Sequence, residues 1–195
     1  MSEDQILSNF VQGDLWQYKL KSFSKDKFVL PIFLYYDDFK IGNPLGSHAG
    51  INKLGGVYVS IPCLPTEFFS KLDNIYLVML FKTNDRKSFG DSRIFQILID
   101  ELILLRENGI MMQGINERVY FDLGLILVDN LEQNSLLGFI ENFVGNYCCR
   151  FCKIPKTLRL HTCSPIIKYN RNGRNYIDDC LLNHVSSTRI KYNSS

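Results

Sequence analysis

The sequence has no run of roughly 18 apolar residues, so it offers no candidate transmembrane helix. Its start, "MSEDQILSNFVQG", is acidic and polar where a secretory signal would be basic and then apolar. A soluble, intracellular protein with no membrane partner is expected. It contains no internal repeat and no low-complexity segment, which leaves out solenoids and disordered linkers. Glutamate is absent after Glu141, and histidine is scarce, with three in the chain. The six cysteines are not spread like a secreted disulfide framework, because Cys148, Cys149, Cys152 and Cys163 crowd into one short stretch. Metal binding is the better first expectation for them.

What is present is a chain of 195 residues with 46% hydrophobic content, enough for one sizeable core. The small net charge of +2 hides an asymmetry: residues 142–195 carry +7, and the rest carries −5. A basic tail behind an acidic core suits a polyanion partner, and a solvated tail accounts for it equally well.

Three strand-like runs come first. "KFVLPIFLYY" (27–36) is rich in β-branched and aromatic residues, "GGVYVSIPCL" (55–64) alternates, and "NIYLVMLF" (74–81) is again apolar over a strand's length. Over "SRIFQILIDELILLRENG" (92–109) the period changes. Ile94, Leu98, Leu102 and Leu105 fall at helical spacing, Ser92 is placed to cap the start, and Gly109 to end it. "RVYFDLGLILVDN" (118–130) returns to strand and stops on Asp129, and "EQNSLLGFIENFVG" (132–145) reads as a second helix. The order is β-β-β-α-β-α, with acidic residues closing the first and fourth strands. An α/β fold with an RNase H-like mixed sheet and a C-terminal Cys/His-containing tail is expected, divided into a lead-in (1–26), a core (27–147) and a basic tail (148–195). In that fold the ends of strands one and four lie side by side, bringing Asp37 or Asp38 toward Asp129.

Carboxylates from two strand ends suit divalent-metal chemistry on phosphodiesters, because Mg²⁺ takes oxygen ligands and keeps several waters. An aspartate after a strand is also an ordinary turn former or helix cap. Cys149 and Cys152 form "CRFC", a knuckle that gives zinc two thiolates, with His161, Cys163, Cys180 or His184 as further ligands. Buried, unliganded cysteines are the plain alternative.

In order along the chain, "YYDDFKIGNPLG", "VYVSIPCLP", "ILIDELILLRENGI", "GLILVDN" and "LLGFIENFVGNYCCRFCK" resemble the catalytic core of DDE-type DNA transposases of the CACTA (En/Spm) kind. The likeness covers about Lys27 to Lys153, with a weaker echo in "YIDDCLLNHVSSTRIKYN". It implies that Asp37 and Asp129 are the first two catalytic, metal-binding aspartates, holding Mg²⁺ or Mn²⁺. Asp38 stands at the variable position, with a swap between the two neighbours left open. It also implies that Cys149 and Cys152 belong to a Zn²⁺ knuckle, that DNA is the partner, that the protein is nuclear (or cytoplasmic if non-functional), and that a full-length transposase oligomerises. The family needs a third acid from a later helix. Here only Asp178 and Asp179 follow Glu141, so the resemblance implies a core truncated before its third acidic residue and inactive by itself. A zinc-containing nucleic-acid-binding or adaptor domain is the alternative expectation.

Overall fold

The computed structural model describes residues 9–41, 53–69, 71–114, 116–139, 146–147, 149–159, 161, 166–182 and 190. The chain divides into two compact units, Met1–Val128 and Asp129–Ser195. The elements of the first are α1 (Asp14–Leu20), β1 (Phe28–Lys40), β2 (Lys53–Ser60), α2 (Thr66–Phe69), β3 (Tyr76–Lys82), α3 (Thr83–Phe89), α4 (Asp91–Glu107), β4 (Ile110–Met111) and β5 (Arg118–Val128). The second has α5 (Asn130–Leu136), α6 (Lys156–Arg159) and α7 (Gly173–Leu182). The fold is mixed α/β.

Five strands form one mixed sheet in the order β3-β2-β1-β5-β4. β1 runs antiparallel to β2 and parallel to β5, β2 is antiparallel to β3, and the two-residue β4 is antiparallel to β5. Pro31 sits in β1 before the β2 ladder begins at Phe33–Ser60, where β1 has a neighbour on one side only. A residue without an N–H is tolerated at such a place. The β1–β5 register slips between Ile32 and Phe33, leaving Gly124 of β5 as an extra residue.

Side chains alternate across a strand, so β1 feeds two cores. On one face Ile32 packs with Val119 and Phe121, and Leu102 and Leu105 of α4 cover them. Half of the expected apolar stripe of α4 thus rests on the deepest part of the sheet. On the other face Phe33 meets Phe10 edge-on at 4.9 Å, and Phe10 meets Trp16, which is 2% exposed. The lead-in therefore contributes α1 to this layer. Gly124 makes the contact possible: a Cβ there would stand 3.0 Å from both the Phe10 and Phe33 rings.

Several boundaries differ from those expected: the second strand ends at Ser60 instead of Leu64, and α2 follows in the connector. β1 continues past Tyr36 to Lys40, because Asp37 and Asp38 pair with Gly56 and Gly55 of β2 and the ladder runs on to Lys40–Lys53. α4 starts at Asp91 and its N-cap is Gly90, not Ser92. Gly90, at φ +82°, also closes α3 through its N–H to the Arg86 carbonyl, so one left-handed residue ends one helix and opens the next. The second expected helix is shorter: α5 stops at Leu136. Gly138 takes φ +69°, its N–H donates to the Ser135 carbonyl at 3.1 Å, and the Phe139 N–H donates to the Asn134 carbonyl at 2.7 Å. These two bonds are a Schellman stop. Residues 140–145 of that expected helix lie outside the described ones.

In the second unit, an antiparallel bridge pairs Cys152 with Asn170, flanked by the Lys153 N–H to the Tyr169 carbonyl and the Arg171 N–H to the Phe151 carbonyl. The Tyr176 hydroxyl donates to the Leu137 carbonyl, tying α7 to the end of α5.

Candidate metal centre and its surroundings

The parallel ladder of β1 with β5 ends at the pair Tyr36–Val128. The next residue of each chain segment is an aspartate, Asp37 and Asp129 respectively. Asp37 is exposed and pairs in register with Gly56, so its carboxylate stands over a position without a side chain. Asp129 is also exposed, and serves as N-cap of α5: its Oδ1 accepts the Glu132 N–H at 2.7 Å. The helix-cap role that strand-end aspartates commonly play is thus filled by Asp129.

Asp38 differs from its neighbour. It lies on the face of Tyr36, whose hydroxyl donates to Asp38 Oδ1 at 2.6 Å. Arg86 of α3 in turn donates from Nη1 to the Tyr36 hydroxyl oxygen at 3.2 Å and grips Asp91 through Nε at 2.6 Å and Nη2 at 3.2 Å. Arg86 is 7% exposed. Burial alone would lower its pKa. The Asp91 carboxylate and the Tyr36 hydroxyl outweigh that and hold it above the ordinary arginine value, so the guanidinium is charged. Phe81 stacks on Tyr36, and Phe95 meets both rings edge-on, closing the apolar side of the network. Of the two adjacent aspartates, Asp38 is engaged by this network and Asp37 points to the opposite face.

Asp179 of α7 is 1% exposed, and cations occupy both of its oxygens: Lys153 Nζ at 2.6 Å on Oδ1 and Arg171 Nη1 at 2.7 Å on Oδ2. A carboxylate held in this way completes a buried ion triad. Asp178, its neighbour, is exposed.

In the knuckle, Cys149 and Cys152 are near enough for the Cys149 thiol to act on Cys152. Burial chiefly, and then the Cys149 thiol, push the Cys152 thiol above its usual pKa, against the opposing pull of the Ile154 N–H and the Arg171 charge. Two half-buried thiols close to one another suit half of a tetrahedral zinc site. His161 is exposed, and its described bond is a backbone one to the Leu158 carbonyl. Cys180 is a free, half-buried thiol, and Cys163 and His184 lie outside the described residues. Among the described residues, no group of three or more His, Cys, Asp or Glu side chains is gathered closely enough to hold a metal ion. No helix among them is long and apolar enough to cross a membrane.

Two features escaped the sequence reading. Arg86 lies in "TNDRKSF", a polar stretch without periodicity, and nothing in its composition marks one arginine as buried. Asp179 had a faint signal: it sits three residues after Tyr176 and next to Cys180 on α7, and a buried carboxylate must find cations. No protein-family model matches the chain, and no curated protein matches it.

Proposed function

We propose that the chain is a transposon-derived core resembling the DDE-type, RNase H-like DNA transposases of the CACTA kind. In this reading Asp37 and Asp129 supply carboxylates for Mg²⁺ or Mn²⁺, the partner is DNA, and the place of work is the nucleus. The chain by itself neither cuts nor joins strands. The observation that carries the reading is the parallel ladder whose last pair, Tyr36–Val128, directly precedes the two aspartates. The strand order β3-β2-β1-β5, antiparallel up to β1 and parallel beyond it, supports it as well. Asp38 is the weaker ligand because Tyr36 engages it. Asp179 is a poor third acid, because recruiting it to a metal means stripping two cations from a buried carboxylate.

Such a site orients a scissile phosphate and polarises its oxygens through the bound cations. With one carboxylate short, coordination is incomplete and most of that activity is lost. Titration calorimetry with Mn²⁺ tests the site: weak binding is expected, lost in both Asp37→Asn and Asp129→Asn. Binding indifferent to both substitutions would sink the assignment. Incubation of supercoiled plasmid with the chain and Mn²⁺ should leave it intact, and nicking abolished by Asp129→Asn would overturn the inactive reading.

A second reading, a zinc-containing adaptor or nucleic-acid-binding domain, is favoured by one observation, the closeness of the two half-buried thiols Cys149 and Cys152. Zinc would there fasten the bridge between Cys152 and Asn170. Metal analysis of the purified chain checks it, with one equivalent of zinc expected and its loss on Cys149→Ser.

A further inference from the structure

Beyond Tyr36, β1 pairs with β2 until the last described pair of the ladder, Lys40 with Lys53. Residues directly opposite in an antiparallel pair hold their Cβ atoms about 5 Å apart, and like charges placed so repel. Neither lysine makes an ion pair among the described residues. No Asp or Glu occurs between Asp38 and Glu67, so the segment joining the strands contributes no carboxylate to neutralise them. The nearest acids in the strand are Asp38, two pairs inward on the same face and bonded to Tyr36, and Asp37 on the opposite face. Lys82, paired with Leu54, stands at the same end of the sheet but on the opposite face from Lys40 and Lys53.

The location matters as much as the charge. β1 and β5 are parallel, and ligands of open α/β sheets gather beyond the carboxyl ends of parallel strands. Lys40 is the carboxyl-terminal residue of β1, three residues beyond Asp37. A repulsive pair with no counter-charge among the described residues is relieved when an anion bridges it, and successive phosphates of a nucleic acid are such an anion. We infer that Lys40 and Lys53 form a contact for the phosphate backbone of DNA at the carboxyl end of β1. The inference deepens the reading of the chain as a DNA-handling core, and it adds a grip on the backbone that works without metal and carries no base specificity.

The test is binding of the full chain to a fluorescently labelled duplex, followed by anisotropy in EDTA at about 50 to 200 mM KCl. Each lysine that neutralises a phosphate contributes about 0.9 to the slope of log K against log salt, so Lys40→Gln/Lys53→Gln should lower the slope by about 1.8 and Lys53→Gln alone by about 0.9. Affinity should fall alike for unrelated DNA sequences. Lys40→Arg/Lys53→Arg should keep the wild-type slope. The double glutamine variant removes a repulsion, so its melting temperature should equal or exceed the wild type's, and the single variant serves if it does not. A slope unchanged in Lys40→Gln/Lys53→Gln, a slope that moves only with Lys168→Gln/Arg174→Gln in the second unit, or a wild type that does not bind DNA would each overturn the inference. The binding assay in EDTA contains no free divalent cation, so its slope is independent of the proposed metal site. Failure of the proposed metal site is therefore read in the Mn²⁺ titration, and failure of this contact in the salt slope.

Discussion

Replacing Asp179 by asparagine separates two roles for the late carboxylate, a metal ligand or the anchor of a buried triad. Its oxygens receive Lys153 at 2.6 Å and Arg171 at 2.7 Å, and the Arg171 side chain is only 5% exposed against 33% for Lys153. Removing one member of a buried ion pair costs about 3–5 kcal/mol, because the remaining charge stays desolvated. Lys153 can turn toward water and asparagine keeps one acceptor for Arg171, so the lower end applies, about 3 kcal/mol. For a unit of this size a urea m-value of about 1 kcal/mol per molar is expected, so the unfolding midpoint of the second unit should fall by roughly 2–3 M. Far-ultraviolet circular dichroism follows α7. Fluorescence of Trp16, the single tryptophan, reports on the first unit. The second substitution in Asp179→Leu/Arg171→Met should recover much of the loss, since an apolar pair of similar volume replaces the ions without stranding a charge. A midpoint that moves by less than about 0.5 M while Mn²⁺ affinity collapses would refute the structural account and make Asp179 the missing ligand.

Three further outcomes follow from packing and charge. Gly124→Ala drives a methyl to 3.0 Å from two aromatic rings and should cost about 1–3 kcal/mol, visible as a lower midpoint of the Trp16 fluorescence transition. Tyr36→Phe removes the hydroxyl shared by Asp38 and Arg86 and should cost about 1–2 kcal/mol in chemical denaturation, with Mn²⁺ binding retained if Asp37 is the ligand. Cys63 and Cys152 both have thiol pKa values raised, chiefly by burial, so near pH 8 iodoacetamide should label them more slowly in the folded chain than in urea. The sign for stability is the same for both. A thiol whose folded pKa is raised adds stability that is fully present below the unfolded value of 9.0 and is lost as pH rises through the folded one. Equal labelling rates in the two states would count against that burial.

The strands and α4 were legible because each buries a continuous or periodic apolar stretch, and those patterns survive in any context. Leu102 and Leu105 pack where their spacing placed them. The short helices were not legible. α1 and α3 have seven residues each and little periodicity, and they are held by tertiary contacts, Trp16 against Phe10 and Arg86 against Asp91 and Tyr36. Propensity alone does not stabilise helices of that length. The end of β1 was misplaced because two aspartates read as a stop, whereas Gly55 and Gly56 opposite them leave room for the ladder to continue. Gly138 stood in plain view, but whether a glycine terminates a helix depends on the left-handed turn it adopts, and composition does not report that.

The extra residue in β5 has an effect far from where it occurs. Before it, Ile32 lies opposite Leu123; after it, Phe33 lies opposite Leu125, so every later pairing is advanced by one position. Continued without the slip, the ladder would set Tyr36 against Leu127, and the residue following Val128 would come one step late relative to Asp37. Gly124 therefore acts as a phase adjustment between two strands that otherwise run in lockstep. Gly124, skipped between Leu123 and Leu125, decides which pair of neighbours closes the ladder. Selection on the aspartates would be felt at a glycine that touches neither.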